Sequence, residues 1–451
     1  MTWIEVRAEE DGVSVAVEGR LSVPEFGRSV LDAAGALLTW PDIAGQGADA
    51  TGVPPGTALS DAREGAAASR AAASGAAPFG GPRADLLPDA LVESAPEAQT
   101  WLWAVYGAGA ARAVAACASG RAHALRVAAE PGALARDLHR LATGHWASRW
   151  WPASHLDGVP ALDADLLGLE LAALSHRCQQ VWDPDADPAA DLVLEHRAGL
   201  RPLLDLWHAR PGAVSDVLRS VRAAADDAGL DVDGLAGPID PGGRDGSGPA
   251  GWATSTGDAV PRRPGALPQD HALAAGGAAG PPPGARVMGR GTGTNDWCRY
   301  PPGFVDASED AVTWTAFAHG SRRAVLVEAV AGEARPALGV RPVAEVRVGA
   351  TAPVRVRCER AGDAWTALVD TALPDTAAPS PDVQVVLPGF DPGPQDPGRA
   401  RRTREGLRAL ARRRLAAAGG ATGTDGAGAG EGFGPAPFLA EIVAAHTEED
   451  F

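Results

Sequence analysis

The chain has 451 residues, of which 57 are acidic and 40 are lysine or arginine, and its formal net charge is -17. All 40 of those basic residues are arginine, since the sequence contains no lysine. This excludes chemistry that needs a lysine amine, namely Walker A nucleotide binding, protein-kinase catalysis, Schiff-base catalysis and pyridoxal-phosphate catalysis. The acidic balance argues against general nucleic-acid binding, because a phosphate backbone requires a positive surface.

The chain is long enough for two or three domains. Its start has neither the basic segment nor the apolar segment of a signal peptide, and no stretch has the length of a membrane helix. We therefore expect a cytoplasmic protein that does not contact a membrane.

Residues 1–40 are predicted to form a β-hairpin followed by a helix. Val13, Val15 and Val17 alternate after a turn at Asp11-Gly12, as on a strand with one buried face. Residues 24–40 have apolar positions at helical spacing after Pro24, which suits the first turn of a helix.

The middle of the chain is predicted to hold a helical domain between two linkers. Residues 41–84 and 231–284 are rich in glycine, alanine, proline and aspartate, a composition typical of disordered linkers. Residues 85–230 show repeated leucines at helical spacing, interrupted by Asp-Pro and Pro-Gly pairs, which predicts an all-α bundle of six to seven helices.

The last part of the chain is predicted to be a small β domain with a tethered helix. Residues 285–390 alternate with period two, which favours a sandwich-like sheet structure. Residues 399–418 form a basic helix, and 419–451 a flexible tail that ends in a docking helix. The predicted fold class is therefore α+β multidomain.

A tryptophan-rich stretch between His139 and His155 is the densest cluster of candidate chemistry. A ligand pocket there would have indole walls and a guanidinium for an anion. The alternative is a helix end that packs its aromatic side chains into the core. No metal site is predicted, because His139 and His145 are not at the i,i+4 spacing that places two imidazoles together. The ligand-binding candidates are His145, Trp146, Arg149, Trp150, Trp151 and His155.

The segment 294–308 allows a second reading as a nucleophilic site. Asp296, Cys298 and Arg299 suggest an activated thiol. A catalytic cysteine also needs a base beside it, and the nearest histidine in the sequence, His319, is not adjacent to this segment. The alternative is that Trp297, Tyr300 and Phe304 close one end of the sheet. We assign no catalytic residue, no metal and no cofactor. The sequence favours a non-catalytic role and leaves enzymatic activity undecided.

The C-terminal region carries the candidates for partner binding. Eight arginines lie between Arg399 and Arg414 against one acid, a local reversal of sign that suits an acidic partner, the protein's own acidic body or nucleic acid. The segment Phe438–Ala445 has the pattern of an amphipathic helix that docks in a groove. The candidates are Arg401, Arg404, Arg408, Arg412, Phe438, Leu439 and Ile442.

Three stretches together resemble an uncharacterised family of actinobacterial proteins. They are Gly144–Pro152 (GHWASRWWP), Asn295–Trp314 (NDWCRYPPGFVDASEDAVTW) and Phe438–Ala445 (FLAEIVAA). The resemblance implies an accessory role beside a MoxR-type AAA+ ATPase or a von Willebrand A protein. The expected function is a non-catalytic adaptor or accessory subunit that contacts proteins. The alternatives are a small-ligand sensor or unrecognised enzyme using the tryptophan-rich stretch, and nucleic-acid contact by the basic helix.

Overall fold

A computed structural model shows a mixed α+β protein with three antiparallel sheets. It describes residues 2–20, 28–40, 86–183, 185–209, 211–235, 280–297, 300–332, 340–371, 380–389, 397–420 and 436–447. The predicted linker 41–84, most of the predicted linker 231–284 and residues 421–435 of the predicted tail lie outside these ranges. The chain divides into two compact units. Unit 1 contains Met1–His145, Leu171–Asp191 and Ala429–Ala436, and unit 2 contains Trp146–Glu170, Leu192–Gly428 and Pro437–Phe451.

Unit 1 is built on a six-stranded antiparallel sheet in the order β3-β4-β5-β2-β1-β6. Buried and exposed side chains alternate along each of the first five strands, so one face forms the core and the other meets solvent. The predicted N-terminal hairpin is present as β1 and β2. The strands are β1 (Thr2–Glu9), β2 (Gly12–Val17), β3 (Ser29–Ala33), β4 (Ala36–Trp40), β5 (Asp89–Val92) and β6 (Ala124–Ala129).

The helix predicted over residues 24–40 is wrong, because strands β3 and β4 occupy its described part. The apolar residues fit helical spacing because both faces of this hairpin carry large apolar side chains. Ala34 and Gly35 form a two-residue turn, and Gly35 has φ +71°, a left-handed conformation that favours glycine. Pairing of β4 with β5, a long-range contact, completes the sheet.

The expectation that residues 85–230 are all helical is also corrected, since β5 and β6 lie in this span. Three helices of unit 1 are α1 (Ala95–Ala98), α2 (Leu102–Tyr106) and α3 (Ala108–Ala118). Helix α3 packs on β1, β2 and β6, and its glycine and alanine residues allow a close approach. An added Cβ at Gly109 would be 3.8 Å from Ala128 O, an ordinary van der Waals contact between α3 and β6.

The remaining helices of residues 85–230 confirm the predicted element type. Their bounds are α4 (Ala133–Trp150), α5 (Ala164–Arg177), α6 (Pro188–Glu195), α7 (Leu200–Ala209) and α8 (Pro211–Asp227). Helix α9 (Val232–Leu235) lies at the start of the predicted linker 231–284, so the prediction of disorder is wrong for these residues. Helices α7 and α8 pack together within unit 2. None of the helices that the structure describes is long and apolar enough to cross a lipid bilayer.

Unit 2 contains the predicted β region as two antiparallel sheets. The first has the order β12-β13-β9-β8-β7 and the second the order β11-β10-β14. A parallel bridge between Thr294 and Gln384 joins β14 to the chain after β7, and Cys358 separates β11 from β12 in the other sheet. The strands are β7 (Arg286–Thr292), β8 (Val312–His319), β9 (Arg322–Val330), β10 (Val343–Arg347), β11 (Val354–Arg357), β12 (Glu359–Ala361), β13 (Ala364–Asp370) and β14 (Asp382–Val386).

Aromatic side chains fill the core beside the larger sheet. Trp297, Tyr300 and Phe304 are all buried, as the packing interpretation of this segment predicts. Phe304 stacks on Trp365 with ring centroids 5.3 Å apart and accepts a hydrogen bond from its indole at the backbone oxygen. Two further helices of unit 2 among the described residues are α10 (Pro397–Gly420), hereafter the arginine helix, and α11 (Leu439–Thr447).

Candidate functional site

The arginine helix is fixed within unit 2 by the buried side chain of Arg404. Its Nε donates to Glu309 Oε1 at 2.8 Å, and its Nη2 donates to Glu309 Oε2 at 3.1 Å. Its Nη1 lies 3.4 Å from Asp296 Oδ1. A planar guanidinium and a carboxylate that meet through two parallel hydrogen bonds hold each other in one orientation. This pair therefore sets which side of the helix faces the unit.

Arg408, one helical turn further on, extends the same contact. It donates to Ala307 O from Nε at 3.2 Å and from Nη2 at 3.0 Å, and Nη2 also donates to Glu309 Oε1 at 2.8 Å. Arg412 donates to the backbone oxygen of Asp157 at 2.9 Å. Residues four apart lie on one helical stripe, so three of the predicted partner-binding arginines contact their own unit.

Glu309 is the acid that both buried arginines share. Its burial alone would raise the pKa of the carboxyl. The hydrogen bonds and charges of Arg404 and Arg408 outweigh this, so the pKa of Glu309 lies below its usual value. The carboxylate form is therefore stabilised in the folded protein.

Asp306 organises the loop that precedes Glu309. Its carboxylate accepts hydrogen bonds from Ser154 Oγ at 2.7 Å, from His155 N at 2.7 Å and from Ser308 N at 2.9 Å. The aspartate is buried, and buried carboxylates require such donors. The loop is thereby joined to the chain that follows α4.

Asn295, the chain's single asparagine, binds the backbone of the same loop. Asn295 Nδ2 donates to Asp306 O at 2.7 Å and to Ser308 O at 2.5 Å, and Tyr300 OH donates to Asn295 Oδ1. These buried groups act as structural polar contacts.

Helix α11 is anchored in unit 2 by a buried ion pair. Arg414 donates to Glu441 from Nε at 2.5 Å and from Nη2 at 2.8 Å. Glu441 also accepts the backbone N–H of Phe438 at 2.8 Å, the arrangement of a capping-box acid at the third helical position. Glu170 accepts the N–H of Ala440 at 3.2 Å, so two carboxylates meet the positive end of this helix.

These contacts change how the partner-binding candidates are understood. Phe438 and Leu439 are buried and Ile442 is half-buried inside unit 2, so the groove that receives this helix belongs to the same chain. A role of these three residues with a partner stays a prediction, and it requires α11 to leave this position.

The opposite side of the arginine helix faces solvent. Arg401 pairs with Glu405 across one turn at 3.0 Å, and both side chains are more than half exposed. The exposed positions that face away from the unit recur at helical spacing and carry three arginines against one acid. They are Arg401, Arg402, Glu405, Ala409, Arg413, Ala416 and Ala417, hereafter the outward face. Arg412 is exposed as well, but it lies on the stripe of Arg404 and Arg408 and contacts Asp157.

The tryptophan-rich candidates form a packed end of helix α4. Within unit 2, Trp146 and Trp151 are each 2% exposed and meet edge to face with ring centroids 6.5 Å apart. Trp151 Nε1 donates to Pro160 O at 2.9 Å. The Arg149 guanidinium lies 3.7 Å from the Trp150 ring centroid, a cation–π contact. The core-packing interpretation accounts for these contacts.

The indole of Trp146 lacks a hydrogen-bond acceptor among the described residues. The Nε1 of Trp146 is buried without a hydrogen bond there. The backbone N–H of His155 donates a hydrogen bond to the carboxylate of Asp306. His145 belongs to unit 1, where burial lowers the pKa of its imidazole and favours the neutral form.

The cysteines that the structure describes are unsuited to act as nucleophiles. Cys117, Cys178 and Cys358 are buried, and burial raises the pKa of each thiol, that of Cys358 to about 12. Cys298 and Arg299, the centre of the alternative thiol site, lie outside the described residues. No group of three or more histidine, cysteine or acidic side chains within the described ranges could hold a metal ion.

Several polar contacts join residues that are far apart in the sequence, and the sequence does not predict them. Asp306 meets Ser154, and His196 Nδ1 lies 3.2 Å from Asp165 Oδ1 within unit 2. A local signal exists only for Asp306, since an aspartate two residues before a serine is typical of a turn in which the carboxylate accepts the serine N–H. No sequence signal links these residues to their distant partners.

No protein-family model, curated protein or solved structure matches this chain.

Proposed function

We propose that this protein is a non-catalytic adaptor or accessory subunit that binds a protein partner through the outward face of its arginine helix. One observation supports this most directly. The inner side of the helix is fixed by Arg404 and Arg408, while the outward face presents Arg401, Arg402 and Arg413 to solvent. A helix held rigidly by its buried side loses little conformational entropy when its exposed side binds.

The partner's surface would be acidic where it meets the outward face. Arginine suits this role because its guanidinium pairs with carboxylates through two hydrogen bonds. The family resemblance points to an ATPase machine of the MoxR type or its von Willebrand A companion. A cytoplasmic location is part of this proposal.

The test is an affinity capture from native cytoplasm with the full chain, read by quantitative mass spectrometry. The variant Arg401→Glu/Arg402→Glu/Arg413→Glu reverses the charge of the outward face and leaves Arg412, which contacts Asp157, unchanged. The control Arg201→Glu/Arg219→Glu/Arg347→Glu makes the same change in net charge at exposed arginines elsewhere in unit 2. A partner kept by the wild type and the control but lost by the first variant supports the proposal. Equal capture by all three contradicts it.

A small-ligand sensor is the second candidate, and the buried indole N–H of Trp146 favours it. A ligand acceptor would complete this hydrogen bond. A compound that raises the melting temperature of the wild type but not of Trp146→Phe would support a sensor. A shift that is equal in both proteins would place the compound elsewhere.

A further inference from the structure

The outer face of the unit 1 sheet carries an unusual concentration of exposed apolar side chains. Among the described residues, nine large apolar side chains are at least 36% exposed, and four of them lie on this single face. The four are Trp3 at 36%, Val30 at 51%, Leu37 at 39% and Leu91 at 36%. Single exposed apolar residues are ordinary, but several on one face mark an interaction surface.

Strand pairing brings three of these side chains together. Leu37 of β4 lies directly opposite Leu91 of β5. Val30 of β3 lies opposite Thr39, two residues along β4 from Leu37. Side chains at opposite and diagonal positions on one sheet face are neighbours. Val30, Leu37 and Leu91 therefore form a continuous apolar strip across three strands, hereafter the β3–β5 strip.

Acidic side chains surround the β3–β5 strip. Asp32 lies opposite Leu37, and Glu93 follows Leu91 by two residues. The hairpin turn between β1 and β2 lies beside the end of β5, because a Cβ on Gly12 would be 3.4 Å from Glu93 Cα. The exposed acids around the strip are Glu9, Glu10, Asp11, Asp32 and Glu93.

The basic residues of the same six strands are already paired. Arg7 contacts Glu5 at 2.5 Å, and Arg126 contacts Glu18 at 2.6 Å. Outside the strands, Arg28 lies two residues before Val30 and is exposed. Five exposed acids against this one arginine leave the net charge around the β3–β5 strip negative. A second copy of this chain would bring the same acids onto this face, and an anionic membrane would also be repelled.

We propose that the β3–β5 strip docks a cationic amphipathic helix of a partner protein. Apolar residues on one side of that helix would cover Val30, Leu37 and Leu91, since open sheet faces are commonly buried by helices. Arginine or lysine on its flanks would face Asp32 and Glu93. The strip belongs to unit 1 and the outward face of the arginine helix to unit 2, so each proposal can be tested independently of the other.

The test uses the full chain and a fluorescein-labelled designed peptide with leucines on one helical side and arginines on the other. A scrambled peptide of the same composition controls for attraction to the net negative protein. Leu37→Ser/Leu91→Ser removes the apolar centre without changing charge. Val354→Ser/Leu368→Ser makes the same kind of change at exposed sites in unit 2. Circular dichroism verifies that each variant is folded, and fluorescence anisotropy measures the dissociation constant.

The amphipathic peptide should bind the wild type, and Leu37→Ser/Leu91→Ser should weaken it by about tenfold or more. The unit 2 control should bind like the wild type. Asp32→Asn/Glu93→Gln should weaken binding and reduce its dependence on salt. Equal affinity for the scrambled peptide, or equal loss in both serine variants, would overturn the proposal. Sedimentation that shows a dimer abolished by Leu37→Ser/Leu91→Ser would overturn it in favour of a second copy.

Discussion

Arg404 and Glu309 lie 95 residues apart in sequence and form a bidentate salt bridge with nitrogen–oxygen distances of 2.8 and 3.1 Å. Arg408 shares the same carboxylate. The pair connects the arginine helix to the loop before β8, so the side of the helix that remains exposed is determined by a contact inside the protein.

Replacing Glu309 by glutamine should destabilise unit 2 by about 2 kcal/mol, because two buried guanidinium groups lose their shared charge partner. Glu405→Gln is the matched control, since its surface pair with Arg401 contributes less than about 0.5 kcal/mol. Urea denaturation measures both. Equal midpoints for the two variants would show that the buried pair does not hold the helix.

The same carboxylate predicts a pH dependence. The pKa of Glu309 is lowered in the folded protein, so its stabilising contribution is fully present above the ordinary glutamate pKa and is lost as the pH falls through the lowered value. The difference in stability between wild type and Glu309→Gln should therefore narrow as the pH is lowered below about 4. A difference in stability that stays constant as the pH is lowered well below about 4 would contradict the assignment.

Glu328 should behave in the opposite direction. Burial raises the pKa of this carboxyl, only partly offset by the charge of Arg290, and its Oε1 has no hydrogen-bond partner among the described residues. The folded state therefore binds the proton more tightly, and stability falls as the pH rises from the ordinary glutamate pKa to the raised one. Glu328→Gln should stabilise unit 2 at pH 7 and have no such effect in acid, where the wild-type carboxyl is also neutral. A loss of stability in Glu328→Gln at neutral pH would contradict this interpretation.

Helix α11 should depend on the pair between Arg414 and Glu441. Glu441→Ala should speed hydrogen exchange of the α11 amides by at least about tenfold, because a buried guanidinium loses its partner and the helix loses a cap. The double variant Arg414→Leu/Glu441→Leu should recover much of the protection, since apolar replacement of both charges removes the unpaired group. Equal exchange rates in the single and double variants would contradict the ion-pair account.

Gly35 provides a direct test of the corrected hairpin. Its φ is +71°, and a Cβ would lie 2.5 Å from Ser94 O, so Gly35→Ala should destabilise unit 1 by about 2 kcal/mol or more. Gly120 has φ +70° with open space around it, and Gly120→Ala should lose only about 1 kcal/mol. A helix over residues 24–40 would instead be stabilised by alanine at position 35.

The sequence predicts correctly those strands and helices in which apolar residues recur with an unambiguous period. Val13, Val15 and Val17 alternate strictly and form β2, and the basic helix appears close to its predicted bounds. The hairpin at residues 29–40 was missed because Val30 and Leu37 are apolar on the exposed face, which hides the alternation. Spacing cannot show which residues meet across long separations, so the pairing of Asp306 with Ser154 and of β4 with β5 emerges only from the fold.

The same limit applied to the arginines. Their density predicted a basic helix correctly, but which of them face inward depends on where Glu309 and Asp157 lie in space. Arg404 and Arg408 are consequently structural, while Arg402 and Arg413 remain available on the surface.

Site-specific photo-crosslinking in native cytoplasm tests the adaptor proposal most directly. A photoreactive residue at Ala409, an exposed position of the outward face, is compared with one at Val354, an exposed position on β11. The account predicts one protein captured from Ala409 and not from Val354, with the crosslink abolished by Arg401→Glu/Arg402→Glu/Arg413→Glu. Capture of nucleic acid, or the same proteins from both positions, would contradict it.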